Sequence, residues 1–310
     1  MDKYDEKAVK RPTVSVLMNC YNSAAFLKQA IDSVYAQTFQ DFEILFVDNC
    51  STDESAKIAK SYDKRLVYVK TDTNIPLYSA RRFGLDYVRG EFLAILDCDD
   101  YWKPDKLEYQ LRLMKKRNLD FVYGAYDIEF TTNSFAQEFY CHLYRLYNRI
   151  KMKSRKNGYV SVSKQILNYD INLQTVLLRA EKIGNLNFSP KLNLMGDYDF
   201  FIRFGISNKA EYYYDRKVVS TTRMHPGQLS LKSFRNWYKE TRYLYLFVLR
   251  NKLSETENVS LKKLILFFKS LYLWEIKQYG RALKIKKDFR FESVSYFFHW
   301  LKFQLRYLLK

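Results

Sequence analysis

Short apolar runs alternate with amphipathic segments over the first third of the chain. The apolar runs predict four β-strands, at Thr13–Met18, Phe42–Val47, Leu66–Lys70 and Phe92–Leu96. Segments with helical spacing of apolar residues follow at Ala24–Ala36 and Ser79–Val88, and a further helix is expected over residues 104–117. Ser51 and Glu54 have the spacing of a capping box, which predicts the start of another helix. This alternation predicts an α/β domain with a mostly parallel sheet and helices on both faces.

Polar residues directly follow three of the predicted strands. They form the segments 19–22, 48–53 and 97–100, whose sequences are NCYN, DNCSTD and DCDD. Ligands collect outside the carboxyl ends of the strands in such sheets, so we expect the three segments to line one binding edge. An edge of this kind suits a nucleotide, because Asp48 or Asn49 can bond a base while a metal ion takes the diphosphate.

The end of the fourth predicted strand carries Asp97, Asp99 and Asp100. Carboxylates this close together repel and raise each other's pKa values, so the cluster does not stabilise the fold by itself. A hard divalent cation removes the repulsion, because Mg²⁺ and Mn²⁺ prefer oxygen ligands. Helix N-capping is the alternative role, and it accounts for Asp100 and at most one more aspartate.

Charge divides the chain into two regions. The 310 residues include 52 Lys and Arg against 34 Asp and Glu, for a net charge of +18. Residues 231–310 contain 18 Lys and Arg against 6 Asp and Glu, which is +12 of that total. We therefore expect a catalytic domain over residues 1–230 and a separate basic region over 231–310.

The sequence has no export leader, no apolar run long enough to span a bilayer and no CxxC pair, which favours an intracellular chain.

The basic region has helical periodicity. Leu261–Tyr279 and Val294–Lys310 are rich in Leu, Phe, Tyr and Trp, and in the second segment Lys302, Arg306 and Lys310 recur every four residues. Basic amphipathic helices with aromatic residues suit an anionic membrane surface, whereas packing of their apolar faces on the first domain is the alternative. No nucleic-acid-binding motif accompanies the charge, so nucleic acid is not expected as a partner.

Three stretches resemble family 2 glycosyltransferases, which have the GT-A fold. The order VSVLMNCYN, QTFQDFEILFVDNCSTD and NIPLYSARRFGLDYVRGEFLAILDCDDYWKPDKL is similar to their nucleotide-binding half over residues 12–125. LMGDYDFFIRF at Leu194–Phe204 resembles the segment with their catalytic base, and TTRMHPGQLS at Thr221–Ser230 resembles their Arg-x-His loop. The resemblance implies inverting transfer of a sugar from a nucleotide diphosphate, most simply UDP, to a hydroxyl acceptor. It also implies a divalent metal ion, Mn²⁺ or Mg²⁺.

The resemblance gives a role to each matching residue. Asp197 matches the catalytic base, and Asp99 and Asp97 match the aspartates that bind the metal or the ribose. The positions matched around the nucleotide sugar are Asn19, Cys20, Tyr21, Asp48, Asn49, Arg81, Asp97, Arg223 and His225. The family often has a second aspartate where this chain has Asn49. This difference affects a residue that is expected to contact the nucleobase. Asp199 is the nearest competitor of Asp197, but we expect it to lie in the first turn of a helix and to be stabilised there by the helix dipole.

These features predict an enzyme that builds a surface polysaccharide or a lipid-linked glycan. Its expected partners are a nucleotide-sugar donor, a glycan or lipid-linked acceptor and an anionic membrane, with the protein in the cytoplasm on the inner face of the cell membrane. A nucleotidyltransferase is the alternative, but residues 17–27 lack the Gly-rich, basic loop usual in that class. A non-catalytic scaffold is a third possibility, against which the joint presence of Asp97, Asp99 and Asp197 argues. Residues 127–170 fit the resemblance poorly and either border the acceptor or form a mobile loop.

Overall fold

The computed structural model describes residues 11–131 and 145–225 apart from positions 147, 151, 153 and 168, together with residues 142, 239, 240 and 243. Within these residues a mixed sheet has nine strands. The strands are β1 (Val14–Cys20), β2 (Phe42–Asp48), β3 (Leu66–Lys70), β4 (Phe92–Ile95), β5 (Tyr101–Trp102), β6 (Phe121–Phe130), β7 (Gly158–Val160), β8 (Leu177–Arg179) and β9 (Tyr212–Met224). The helices are α1 (Ala24–Tyr35), α2 (Ser55–Lys60), α3 (Leu77–Leu85), α4 (Lys106–Arg117), α5 (Val162–Leu167) and α6 (Gly196–Asn208). Short 3₁₀ turns lie at Leu173–Thr175 and Ala180–Ile183.

The sheet order creates a crevice beside β1. Strand β1 pairs in parallel with β2 and with β4, and β2 pairs in parallel with β3. The order then runs from β4 through β8, β6 and β9 to β5, with β8 antiparallel to both neighbours. The direction of strand succession reverses between β1 and β4, and ligands in α/β sheets bind at the carboxyl side of such a reversal. The predicted mixed sheet is confirmed, with parallel pairing from β3 to β4 and mainly antiparallel pairing beyond β4, and its reversal point carries Asn19 and Asp97.

Buried side chains lie on both faces of the sheet around β1, which explains why its early strands are mostly apolar. Val16 and Met18 of β1 belong to a core that includes residues of α1 and α4. Leu17 belongs to a second core that includes residues of α3 and α6. Successive side chains of a strand point to opposite faces, so a strand covered on both sides contains no polar alternation. The predicted bounds of the first four strands accordingly agree with the observed bounds to within two residues.

The predicted capping box is wrong. Helix α2 begins at Ser55, four residues after the predicted start. Ser51 instead donates its backbone N–H to Oδ1 of Asp48 at 2.8 Å, and its hydroxyl accepts the backbone N–H of Asn22 at 3.1 Å. Asp53 accepts the backbone N–H of Ser55 at 3.0 Å. Ser51 thus joins two loops rather than opening a helix.

Several predicted features lie outside the described residues. These are the C-terminal helices at Leu261–Tyr279 and Val294–Lys310, residues 132–141 of the poorly matching segment and residues 226–230 of the expected Arg-x-His loop. The domain boundary at residue 230 therefore stays a prediction. In the part of the chain that the structure describes, no helix combines the length and apolar character needed to cross a membrane.

Candidate active site

The loops after β1 and β2 are bonded to each other at the carboxyl edge of the sheet. Oδ1 of Asn22 accepts the backbone N–H of Thr52 at 2.8 Å, in addition to the bond between Asn22 and Ser51. Asn22 has a φ of 50°, a left-handed conformation that asparagine adopts more readily than most residues. These hydrogen bonds join segments 19–22 and 48–53, which are both predicted to bind the nucleotide.

Asp48 and Asn49, the residues matched with the nucleobase, are both bonded within the protein. Asp48 is buried, and its carboxylate accepts the backbone N–H of Ser51 and the hydroxyl of Tyr68. The Asn49 amide donates to the carbonyl of Ile75 at 2.7 Å, and its oxygen accepts the backbone N–H of the same residue at 2.9 Å. Asn49 therefore fixes the loop that leads into α3.

The end of β1 carries an amide without a partner. The side-chain nitrogen and oxygen of Asn19 are buried, and neither forms a hydrogen bond within the described part of the chain. Cys20, the next residue, is buried, and hydrogen bonding to Cys98 is the main cause that lowers its pKa to about 7. Tyr21 is 50% exposed. Because a buried unpaired amide is unfavourable, Asn19 is a position where a polar ligand gains a partner.

Three carboxylates converge after β4. Single oxygens of Asp97, Asp99 and Asp100 lie within 4.8 Å of one another. The side chains of Asp97 and Asp99 are 30% and 31% exposed, whereas Asp100 is buried. Burial, followed by the charges of its two neighbours, raises the pKa of Asp100 well above its usual value. The N-cap alternative for Asp100 is wrong, because α4 begins at Lys106 and Asp100 accepts the backbone N–H of Arg223 at 2.7 Å.

Two buried side chains hold Asp97 in place. Arg81 of α3 donates to Oδ1 of Asp97, and the Gln174 amide donates to Oδ2 at 2.8 Å. The oxygen of the same amide accepts the backbone N–H of Asp97 at 2.8 Å. The indole of Trp102 donates to the carbonyl of Gln174 at 2.8 Å and so fixes the turn that carries it. Sequence reasoning missed Gln174, because it lies 77 residues after Asp97 in an irregular segment without a motif.

The end of β9 brings the expected arginine and histidine to Asp99. Nη1 of Arg223 donates to the backbone carbonyl of Asp99 at 2.8 Å, and Nη2 donates to Oε1 of Gln29. Nε2 of His225 lies 3.1 Å from Oδ2 of Asp99. The imidazole ring also packs against Phe26, with ring centroids 4.9 Å apart. Both residues of the Arg-x-His pattern therefore contact the aspartate that resembles the metal ligand.

Asp197 lies in the first turn of α6 and is partly accessible. Its two carboxylate oxygens accept the hydroxyls of Tyr78 and Tyr169 at 3.3 and 3.4 Å. Removal from solvent raises the pKa of Asp197, and the nearby guanidinium of Arg81 only partly opposes that rise. A carboxylate with a raised pKa accepts a proton more readily, which suits a general base. The two tyrosines were not identified from the sequence, because they come from α3 and from the segment after α5.

Asp199, the alternative candidate for the catalytic base, forms an ion pair with Arg203. Nε and Nη2 of Arg203 donate to Oδ2 of Asp199 at 3.0 and 2.6 Å, one helical turn along α6. The Asp199 side chain is 3% exposed. Its burial and its ion pair with Arg203 keep this carboxylate from contact with an acceptor hydroxyl. The structure thus places Asp199 in the first turn, as expected, and adds a partner that the helix-dipole argument did not include.

Comparisons with known proteins give a consistent result. Residues 15–166 match the sequence profile of the family described as glycosyl transferase family 2. A Haemophilus influenzae protein named an uncharacterized glycosyltransferase is 28% identical over 280 residues, which cover 89% of this chain and 99% of that protein. WfgD of Escherichia coli, a UDP-Glc:alpha-D-GlcNAc-diphosphoundecaprenol beta-1,3-glucosyltransferase, is 34% identical over 138 residues, 44% of this chain and 54% of WfgD.

A solved structure supports the fold. The mannosyltransferase PcManGT from Pyrobaculum calidifontis, in complex with GDP-Man and Mn²⁺, superposes with a TM-score of 0.60 at 15% identity. The superposition covers 93% of this chain and 78% of that protein. The expected GT-A-type architecture is therefore confirmed for the domain that contains the site.

Proposed function

Since this chain is a family 2 glycosyltransferase, we propose that it transfers a sugar from a nucleotide diphosphate to a hydroxyl group with inversion at the anomeric carbon. The observation that carries this proposal is the convergence of Asp97, Asp99 and Asp100 within 4.8 Å at the reversal point of the sheet. The glycosyltransferase relatives set aside the nucleotidyltransferase and the non-catalytic scaffold as alternatives.

The oxygen donors after β4 suit a hard divalent cation, Mn²⁺ or Mg²⁺. We assign Asp99 and Asp97 as the residues that would hold it. Asp97 has both oxygens bonded to Arg81 and Gln174, so Asp99 is the better candidate for direct contact. Bound there, the cation would supply positive charge against the departing diphosphate. PcManGT has been solved in complex with GDP-Man and Mn²⁺, which supports a metal in this fold.

Asp197 is the proposed general base. Its carboxylate takes the proton of the acceptor hydroxyl, and the hydroxyl oxygen bonds to the anomeric carbon. The bond from that carbon to the diphosphate oxygen breaks on the opposite face, which inverts the configuration. Arg81 connects the two halves of the site, because it pairs with Asp97 and also acts electrostatically on Asp197.

The proposed donor is a UDP-sugar. The unpaired amide of Asn19 offers both a donor and an acceptor to the nucleoside, with Cys20 and Tyr21 beside it. Arg223 and His225 lie on the Asp99 side, where they can approach the phosphates. WfgD uses UDP-Glc according to its name, whereas PcManGT was solved with GDP-Man. The choice of UDP therefore rests on the WfgD relationship, and the experiment below includes both nucleotides.

The proposed acceptor is a glycan or a lipid-linked glycan in the synthesis of a surface polysaccharide. The name of WfgD specifies an acceptor that is linked to diphosphoundecaprenol, and a lipid-linked acceptor of this kind resides in a membrane. The basic region over residues 231–310 has a charge of +12, which suits an anionic membrane surface. We therefore propose that the protein attaches peripherally to the inner face of the cell membrane.

A panel of UDP- and GDP-sugars tests this proposal. Release of the free nucleotide diphosphate is measured with Mn²⁺, with Mg²⁺ and with EDTA. We expect release of UDP from one or a few UDP-sugars, only with a divalent cation. A GDP-sugar preference would correct the donor, whereas release of pyrophosphate or equal activity in EDTA would contradict the proposed chemistry.

A further inference from the structure

We infer that Glu240 is a positioning residue for Asp197, because it fixes the turn from which α6 and the proposed base begin. Oε1 of Glu240 accepts the backbone N–H of Asn193 at 2.8 Å. Oε2 accepts the backbone N–H groups of Leu194 and Met195, each at 2.9 Å. One carboxylate thus bonds three consecutive residues that immediately precede α6. The inference rests on the proposed role of Asp197.

The burial and the hydrogen bonds of Glu240 indicate that its carboxylate stabilises the turn before α6. Glu240 is 6% exposed. Burial of a carboxylate is costly unless hydrogen bonds compensate for the lost water, and here three backbone donors do so. Hydrogen bonds to an ionised acceptor are shorter and stronger than neutral ones. The positive end of the α6 dipole also favours a negative charge at this place.

Tyr78 also contacts this turn. The Tyr78 hydroxyl lies 3.4 Å from the carbonyl oxygen of Leu194 and 3.3 Å from Oδ1 of Asp197. Gly196 packs directly on the tyrosine ring, because a Cβ at that position would lie 2.5 Å from ring carbons. Both Glu240 and Tyr78 therefore bond this turn, and Asp197 lies two residues after its last member, Met195. Loss of one support would shift Asp197 relative to its tyrosine partners.

Glu240 belongs to the basic region and lies 45 to 47 residues after the turn that it bonds. The region that we propose for membrane attachment therefore also contributes to the geometry of the base. A role in membrane attachment alone would not require a buried acidic residue within this basic region.

The test compares Glu240→Ala and Glu240→Gln with the exposed control Glu181→Gln, all in the full chain. Release of UDP from the UDP-sugar that the panel identifies gives kcat and KM, and calorimetry gives the affinity for UDP with Mn²⁺. We expect Glu240→Ala to lower kcat by about 10- to 100-fold, because small displacements of a catalytic group cost that much. The kcat of Glu240→Gln should lie between those of Glu240→Ala and the parent, since the glutamine amide retains one of the two accepting oxygens. UDP affinity should stay within about twofold in all variants, and the control should match the parent.

Two results would overturn the inference. The first is a folded Glu240 variant whose kcat equals that of the parent. If Glu240→Ala does not fold, Glu240→Gln is the variant used for this comparison. The second is an equal loss of kcat and of UDP affinity, which would indicate general structural damage. Asp197→Asn is measured in parallel to separate the two proposals. Full turnover in Asp197→Asn would refute the base itself, whereas loss there with parental Glu240 variants would refute only the positioning role.

Discussion

Replacement of Asp197 by asparagine should stabilise the protein while it removes catalysis. Burial raises the pKa of Asp197 even though Arg81 opposes the rise. Ionisation of Asp197 is therefore less favourable in the folded protein than in the unfolded chain, by about 1.4 kcal/mol for each unit by which the folded-state pKa exceeds the unfolded value. Asparagine has the same shape and no charge, so it avoids this cost. Turnover should fall by about 10²- to 10⁴-fold, the usual contribution of a positioned base.

The sign of the pH dependence follows from the raised pKa. The stability that the neutral carboxyl contributes is present in full below the unfolded-state pKa of about 3.9. It is lost as the pH rises through the folded-state pKa of Asp197. The stability gained by Asp197→Asn should therefore be small near pH 4, grow as the pH rises and become constant above the folded-state pKa.

Asp199→Asn is the matched control, because it makes the same change two residues along the same helix. It replaces the charged acceptor of two hydrogen bonds from Arg203 by a neutral amide and leaves a largely buried guanidinium without its carboxylate. We expect a loss of about 2–3 kcal/mol, somewhat less than for a fully buried pair because Arg203 retains some contact with solvent. Turnover per folded molecule should remain close to that of the parent.

Urea unfolding in metal-free buffer at several pH values, together with UDP release, measures both effects. The reasoning fails if Asp197→Asn is less stable than the parent at neutral pH, because Asp197 would then be a structural ion-pair partner. It also fails if Asp199→Asn, and not Asp197→Asn, abolishes turnover, because the base would then be Asp199.

Two further predictions concern the donor site and the membrane. Replacement of Gln174 by leucine removes the partner of the Asp97 backbone N–H and of Oδ2 of its carboxylate, while Arg81 still bonds Oδ1, so unfolding in urea should show a loss of about 2–4 kcal/mol. A parental stability would show that this turn does not orient Asp97. Changing Lys302, Arg306 and Lys310 to glutamine should reduce sedimentation with anionic vesicles at low salt, because each basic residue near such a surface contributes about 1 kcal/mol. If neither this variant nor the parent sediments, the membrane proposal is wrong.

The features that could be predicted from sequence are those encoded by contiguous residues. Strands β1, β2 and β4 are buried along their whole length and β3 is buried in part, so their apolar runs are visible without tertiary information. Asp97 and Asp99 follow one such strand, whereas the Arg-x-His pattern at Arg223 and His225 came from the family resemblance and lies at the end of β9. Their meeting at Asp99 depends on the pairing of β5 with β9, which no local pattern specifies.

The features that could not be predicted depend on distant contacts. The capping box at Ser51 failed because Asn22, 29 residues earlier, uses its hydroxyl. Gln174 and Tyr169 reach the site from irregular segments, where neither helical nor strand periodicity applies. Glu240 lies in a segment whose charge pattern suggests a surface role, yet its carboxylate is buried against the turn before α6.

The central claim is a metal-dependent nucleotide site built on Asp99, and calorimetric binding of UDP tests it most directly. UDP is titrated into the parent, into Asp99→Ala and into the exposed control Asp86→Ala, with Mn²⁺ and with EDTA. The account predicts that Mn²⁺ strengthens UDP binding by the parent and the control, and that this strengthening disappears in a folded Asp99→Ala. Equal affinity for UDP with and without Mn²⁺ in the parent, or an unchanged Mn²⁺ effect in Asp99→Ala, would contradict it.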